Sequence, residues 1–168
     1  MVVSRLRRSD RAMSEEDSVA LLRRALVGRI GTVDADGMPY VVPLNFVYEH
    51  QPHRIHLHLA RQPGHLASNL SLSSKACFEV DEPGPLIATG QAGCETSQVY
   101  ESVICFGRAQ VVSDERERMR IARLFVRKYL DQHMQGRSYK PELVALESVE
   151  FVTVEIEVMT GKRRPFLF

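Results

Sequence analysis

His56 and His58 stand two residues apart in a run where Ile55, Leu57 and Leu59 alternate with His56, His58 and Ala60. Residues two apart on a strand share a face, so both imidazoles could serve one ligand. The run continues into Arg61-Gln62-Pro63-Gly64-His65, and Pro63 and Gly64 are residues that open helices. A helix start carries unpaired backbone N–H groups and the positive end of the helix dipole, which suits a phosphate. Asn69 lies about one turn further on and can add a side-chain hydrogen bond. The segment therefore pairs an anion cradle with an imidazole, as a phosphorylated cofactor requires. Arg29 and Ser102, the latter in Tyr100-Glu101-Ser102-Val103, are further phosphate candidates if neighbouring strands bring a guanidinium and a hydroxyl together.

Other chemistries lack their residues. A jelly-roll metal site built on His56 and His58 needs a carboxylate three or four positions on, where the chain has Arg61 and Gln62. His53 or His65 would have to complete a zinc site instead, and no metal is expected. The three cysteines, Cys77, Cys94 and Cys105, form no C-x-x-C pair and read as reduced thiols of a cytoplasmic protein. A glycine-rich dinucleotide fingerprint, a P-loop and a G-x-S-x-G nucleophile elbow are all missing.

With 168 residues, a net charge of +1, 44% hydrophobic and 26% charged residues, the chain is ordinary globular material. Its balance of charge gives no reason to expect nucleic acid or a membrane as partner. Arg5, Arg7, Arg8 and Arg11 precede no apolar h-region, so residues 1–13 read as a flexible basic arm rather than a secretory signal.

The elements that must position these residues follow from periodicity. Ser14 before Glu15, Glu16 and Asp17 predicts a helix start, with Val19, Leu22, Ala25 and Leu26 at helical spacing and Gly28 as its stop. Residues 29–34 and 40–48 predict a hairpin around Asp34-Ala35-Asp36-Gly37. Pro43 places the second strand at an edge or bulge. Further strands are expected at 53–60, 75–81, 100–112 (bent at Gly107) and 149–159, and a short helix over 63–70. Pro83-Gly84-Pro85 should break the fourth strand, with residues 86–97 a loop or irregular strand. Residues 114–130 predict an amphipathic helix carrying Met119, Ala122, Phe125, Val126 and Tyr129 on one stripe. Residues 161–165 should end the regular structure. Consecutive strands without steady strand–helix alternation predict one mainly-β domain over residues 14–168, an antiparallel sheet or barrel with peripheral helices.

Several stretches then occur together and in order: Asp10-Arg11-Ala12-Met13, Gly28-Arg29-Ile30-Gly31-Thr32-Val33, Pro39-Tyr40-Val41-Val42-Pro43-Leu44-Asn45-Phe46, His58 with Gly64, and Ser102-Val103-Ile104-Cys105-Phe106-Gly107-Arg108-Ala109. The set resembles the FMN-binding split-barrel proteins related to pyridoxamine 5′-phosphate oxidase, in their nitroimidazole-resistance branch, over residues 11–162. The resemblance implies a six-stranded antiparallel split β-barrel and a homodimer with two FMN sites at the subunit interface. It implies an FMN-dependent reductase of a small electron-poor molecule such as a nitroimidazole; the alternative is a non-catalytic flavin- or haem-binding protein. Around the flavin it places Thr32, Val33, Asn45, Phe46, His58, Ala60, Gly64, His65, Asn69 and Ser102, with His58 touching the substrate. The chain departs from the family at His65, where Lys or Arg usually meets the phosphate, and at Glu101 before the Ser-Val pair. Both changes lower the local positive charge, which leaves haem or deazaflavin as other occupants. The chain lacks the extra cations that a second, substrate phosphate would need, so pyridoxamine phosphate oxidation is not expected.

Overall fold

The alternating apolar runs form six antiparallel strands: β1 (Val27–Val33), β2 (Pro39–Glu49), β3 (Arg54–Ala60), β4 (Lys75–Ala88), β5 (Thr96–Val111) and β6 (Val149–Arg164). In this computed structural model, which describes residues 6–61, 64–88, 90, 92, 95–131 and 146–165, they close into a barrel in the order β1–β2–β3–β6–β5–β4. Among the described residues, three α-helices accompany them: α1 (Glu15–Arg24), α2 (His65–Leu72) and α3 (Glu115–Phe125), the last continuing as a π-helical turn, Val126–Asp131. The expected mainly-β barrel with peripheral helices is the observed fold.

Two apolar clusters hold it together. Ile30, Phe46, Leu57, Phe78, Val103 and Val152 fill the barrel, joined by Leu21 and Leu22 of α1 and Leu66 of α2. A second cluster lies outside the barrel wall, where Ile121 and Ala122 of α3 pack on Phe151 with Phe125 and Val149. One side of β3 and β6 therefore faces the core and the other faces α3.

The barrel is tightly laced on one side and split on the other. β4 pairs with β5 from Lys75↔Arg108 to Ala88↔Thr96, and β3 with β6 from Arg54↔Glu155 to Ala60↔Val149. β2 and β3 pair only from Phe46↔Leu57 to Glu49↔Arg54. Beyond that register the first half of β2 follows β1, while His58 to Ala60 stay with β6. The two strands part at Asn45 and His58. Pro43, paired with Arg29 of β1 alone, lies on the free edge this parting creates, as its missing amide hydrogen requires.

Local signals settle most boundaries. Ser14 Oγ accepts the Asp17 N–H (3.0 Å) and Asp114 Oδ1 the Glu117 N–H (2.8 Å), the N-caps of α1 and α3. Gly37 turns the β1–β2 hairpin with φ +82°. Several expectations are corrected. Gly28 does not stop α1, which ends at Arg24; it lies in β1, where a Cβ would run into the Phe78 ring. Pro83-Gly84-Pro85 does not break β4, because the ladder to β5 absorbs it as a register shift between Pro83 and Leu86. A second shift, between Phe106 and Gly107, is the expected bend of β5. β6 runs on through Gly161 to Arg164 because β5 pairs with it up to Tyr100↔Arg164. Residues 9–13, expected in a free arm, are tied down: Ser9–Arg11 form a 3₁₀ turn, Ala12 bridges to Lys162, and the buried Met13 donates its N–H to Gly161 O (3.0 Å).

Cys77 and Cys105 are free thiols on adjacent strands, and burial pushes Cys105 up to about 12, an inert thiol. Cys94 lies outside the described residues. Among those described, no helix is long and apolar enough to cross a membrane.

Candidate functional site

Where β2 and β3 part, an opening of about 320 Å³ appears between the outer barrel wall and α3. Its lining is Asn45, His58, Ala122, Phe125, Val126, Tyr129, Leu130, Val149 and Phe151, aromatic and apolar apart from Asn45, His58 and the Tyr129 hydroxyl. His58 meets Phe125 edge to face, with ring centroids 4.9 Å apart, and Phe125 stacks on Tyr129 at 5.9 Å. Among the described residues none hydrogen-bonds to His58. Its apolar wall disfavours the charged form and lowers its pKa, so the imidazole is neutral near pH 7.

The opening has a built edge. β1 begins at Val27, one residue short of serving Phe46 of β2. Tyr129 Oη takes over, accepting the Phe46 N–H (2.9 Å) and lying 2.6 Å from Leu26 O and 2.8 Å from Phe46 O. Asn45 Nδ2 also donates to Leu26 O (3.1 Å). Lys128 Nζ donates to Phe46 O (3.0 Å) and sits 3.9 Å from the Phe46 ring centroid. Burial lowers this amine to about 8. A π-helical turn carries Lys128 and Tyr129, a rare geometry that recurs at functional sites.

The second part of the site is the start of α2. The helix begins at His65 with Gly64 as its N-cap; Pro63, expected to open it, lies outside the described residues. No side chain caps this start and its first turn holds no acid, whereas α1 and α3 have caps and acidic first turns. A Cβ built on Gly64 meets nothing within 4 Å, and its φ of −125° does not demand glycine. Among the described residues, nothing crowds the side-chain position of this N-cap. His65 stacks on Tyr40 (5.5 Å).

The remaining expected residues fall into separate places. Val33 and Ala60 are exposed, on β1 and at the end of β3. Thr32 and Asn69 are buried and joined, Asn69 Nδ2 donating to Thr32 Oγ1 (3.0 Å); their side chains fasten α2 across the barrel end. Phe46 is wholly buried in the core, so its side chain serves packing. Ser102, hydrogen-bonded to Lys162 O (3.4 Å), stands ten residues before Val112, whose N–H meets Phe151 beside His58. That is roughly 30 Å along the strand, and one chain does not bring Ser102 and His58 together. Arg29 is engaged by Glu79 (3.0 Å) and Asp81 (2.5 Å), and Glu101 is neutralised by Arg24. The His56–His58 pairing fails as a shared site: His56 is sealed by Thr153 and Glu49. Phe125 and Tyr129 were legible only as an apolar stripe, and nothing in the sequence marked Lys128.

Residues 14–163 match the family model described as pyridoxamine 5′-phosphate oxidase. The chain belongs to that family. Three solved structures show the spread of this pyridoxamine 5′-phosphate oxidase fold. A candidate 5-nitroimidazole antibiotic resistance protein of Bacteroides thetaiotaomicron shares 25% identity at a TM-score of 0.72, covering 90% of this chain and 86% of that one. The flavocytochrome Anf3 of Azotobacter vinelandii superposes with a TM-score of 0.78 at 22% identity, over 96% of this chain and 73% of its own. An FAD and haem binding protein of Mycobacterium smegmatis gives 0.72 at 20%, over 91% and 72%. The last two likenesses are of fold. No curated protein matches the chain with significance.

Proposed function

We propose that this family member is a flavin-dependent oxidoreductase, with FMN as its flavin, that reduces a small electron-poor aromatic molecule such as a nitroimidazole. The observation that carries the reading is the aromatic opening with a neutral His58 that no described residue hydrogen-bonds, in a chain whose α2 start has no side-chain cap and no acid in its first turn. The family match and the 25% identity to a nitroimidazole-resistance protein support it.

The residues divide the work by their chemistry. The first-turn N–H groups of α2, with His65 held against Tyr40, would take the phosphate. Asn45 and the exposed surface of Val33, Val41 and Ala60 would border the ring system. Phe125, Tyr129 and Phe151 exclude water and offer flat faces to an aromatic substrate. His58 would hold a proton on its imidazole and hydrogen-bond a polar substituent such as a nitro oxygen. A bound flavin supplies the electron transfer that no side chain here can perform.

We place the working unit as a homodimer. The outer face of β1 and β2 leaves Val27, Val33 and Val41 about half exposed or more, and a shallow cavity of about 630 Å³ runs from Val33 and Val41 to Cys77 and Phe106. A second copy covering that face would remove apolar surface from water and could bring its own Ser102 toward the first copy's opening.

The test is the visible spectrum of the isolated protein with an FMN titration, followed by anaerobic nitroimidazole reduction by the wild type and His58→Ala. Saturable FMN binding with turnover that depends on His58 is expected. No saturable binding, or equal turnover without His58, overturns the proposal. A neutral imidazole in an apolar pocket also suits a haem iron; a Soret band in place of a flavin spectrum would favour that reading.

A further inference from the structure

Three possible metal ligands meet at the end of β3 remote from α2. Glu15 opens α1, and His50 and His53 flank the turn between β2 and β3. One ligand atom from each lies within 4.8 Å of the others. We propose that Glu15, His50 and His53 bind a zinc ion that clasps the start of α1 to the β2–β3 turn.

The geometry is close to a coordination sphere. His53 Nε2 lies 3.4 Å from Glu15 Oε1, which is about the edge of a tetrahedron whose ligands sit 2.0–2.1 Å from zinc. The two imidazole rings have centroids 4.9 Å apart and are inclined at 73°, so they converge without stacking. Each turns its Nδ1 toward the hydroxyl of the buried Tyr48, at 2.6 Å for His53 and 3.4 Å for His50. That leaves both Nε2 atoms for a cation. Histidines that ligate metals commonly give their other nitrogen to an oxygen acceptor in this way.

The frame is fixed apart from the ligand tips. The turn is held by Glu49↔Arg54 pairing, and His53 O accepts the Ile156 N–H of β6 (3.1 Å). Ser14 caps the helix that begins with Glu15. The Glu15 side chain, 67% exposed, has room to rotate toward an ion. Two imidazoles and one carboxylate form a donor set that zinc takes. The fourth position opens on a cavity of about 330 Å³ bordered by Ser18, Met159 and Glu157 and is left to water. Arg23 and Glu16 line the groove that also holds Glu15 and His50. The site is separate from His58, which lies five residues along the chain from His53, roughly 17 Å.

Untagged protein, freed of metal with a chelator, is titrated with zinc by calorimetry. One zinc per chain with micromolar Kd is expected, with Tm raised by roughly 5–10 °C at a hundredfold excess over Kd. His50→Ala and Glu15→Gln, which leave the barrel core untouched, should each weaken binding at least tenfold. The visible spectrum should not change on zinc addition, so failure here is distinct from failure of the flavin reading. No saturable binding, or unchanged affinity in both variants, overturns the proposal.

Discussion

His56 and His58 share a strand, a face and a covering helix, yet they live in opposite surroundings. His56 has no exposed surface. Its Nε2 meets Glu49 Oε2 at 2.6 Å and its Nδ1 meets Thr153 Oγ1 at 2.9 Å. Glu49 is gripped in turn by Arg120 at 2.6 and 2.8 Å, and Arg120 by Glu117 at 2.7 Å. Among the described residues, His58 has one aromatic edge contact and no hydrogen bond. The difference comes from the turn of α3 above each one. The turn over His56 brings Glu117 and Arg120, and the turn over His58 brings Phe125. Strand periodicity assigns a residue to a face; the element packed on that face decides between structural and chemical use.

The sharpest way to break this contrast is His56→Ala. It leaves a cavity and strands the Glu49–Arg120 pair, so we expect a loss of about 3 kcal/mol, or roughly 6–12 °C in Tm. Flavin binding by the folded fraction should be unchanged. His58→Ala should cost less than about 1 kcal/mol of stability while lowering nitroimidazole turnover on the order of 100-fold. Equal thermal losses in the two variants would erase the distinction.

Acid should act through the first histidine's network. Arg120 and His56 hold the Glu49 carboxyl down to about 2, and burial lowers His56 despite the adjacent carboxylate. Both groups bind protons more weakly in the folded chain than in the unfolded one, so stability falls as pH drops. The decline should begin below about 6.5, the ordinary histidine value, and deepen from about 4.5 toward 2 as Glu49 protonates, for a loss on the order of 2–3 kcal/mol. Thermal melts from pH 7 to 3 should show this slope, and Glu49→Gln should flatten the lower part of it. The smallest effect expected is at a third histidine. His65→Lys should tighten FMN binding roughly fivefold by adding a full charge at the α2 start, read by fluorescence titration; weaker binding would remove His65 from the phosphate.

The six strands were legible because each carries its own alternation and turn residues, as Gly37 and the Val152, Val154 and Ile156 series do. Strand limits that depend on a partner were not. Pro83-Gly84-Pro85 reads as a break until β5 is beside it, and Gly161 reads as an end until Tyr100 and Glu101 pair beyond it. His58 and the Gly64–His65 turn were visible as chemistry, while the Glu49–Arg120 pair, 71 residues apart, and the Lys128 contact with Phe46, 82 apart, have no local trace. Phe125 and Tyr129 were visible but misplaced, since a helical stripe looks the same whether it faces a packed core or the wall of an opening.

Pro39 and Pro43 have a consequence for the parting of β2 from β3. Both pair with β1 in an unbroken register, and neither has an amide hydrogen to give that ladder, so their nitrogens face the other way. Of the four odd positions on that rim, 39, 41, 43 and 45, two are therefore mute as donors. The gap cannot zip itself shut, and a stray strand finds few donors there to grip. The same two rings that weaken β2 as a strand keep its doorway permanently ajar.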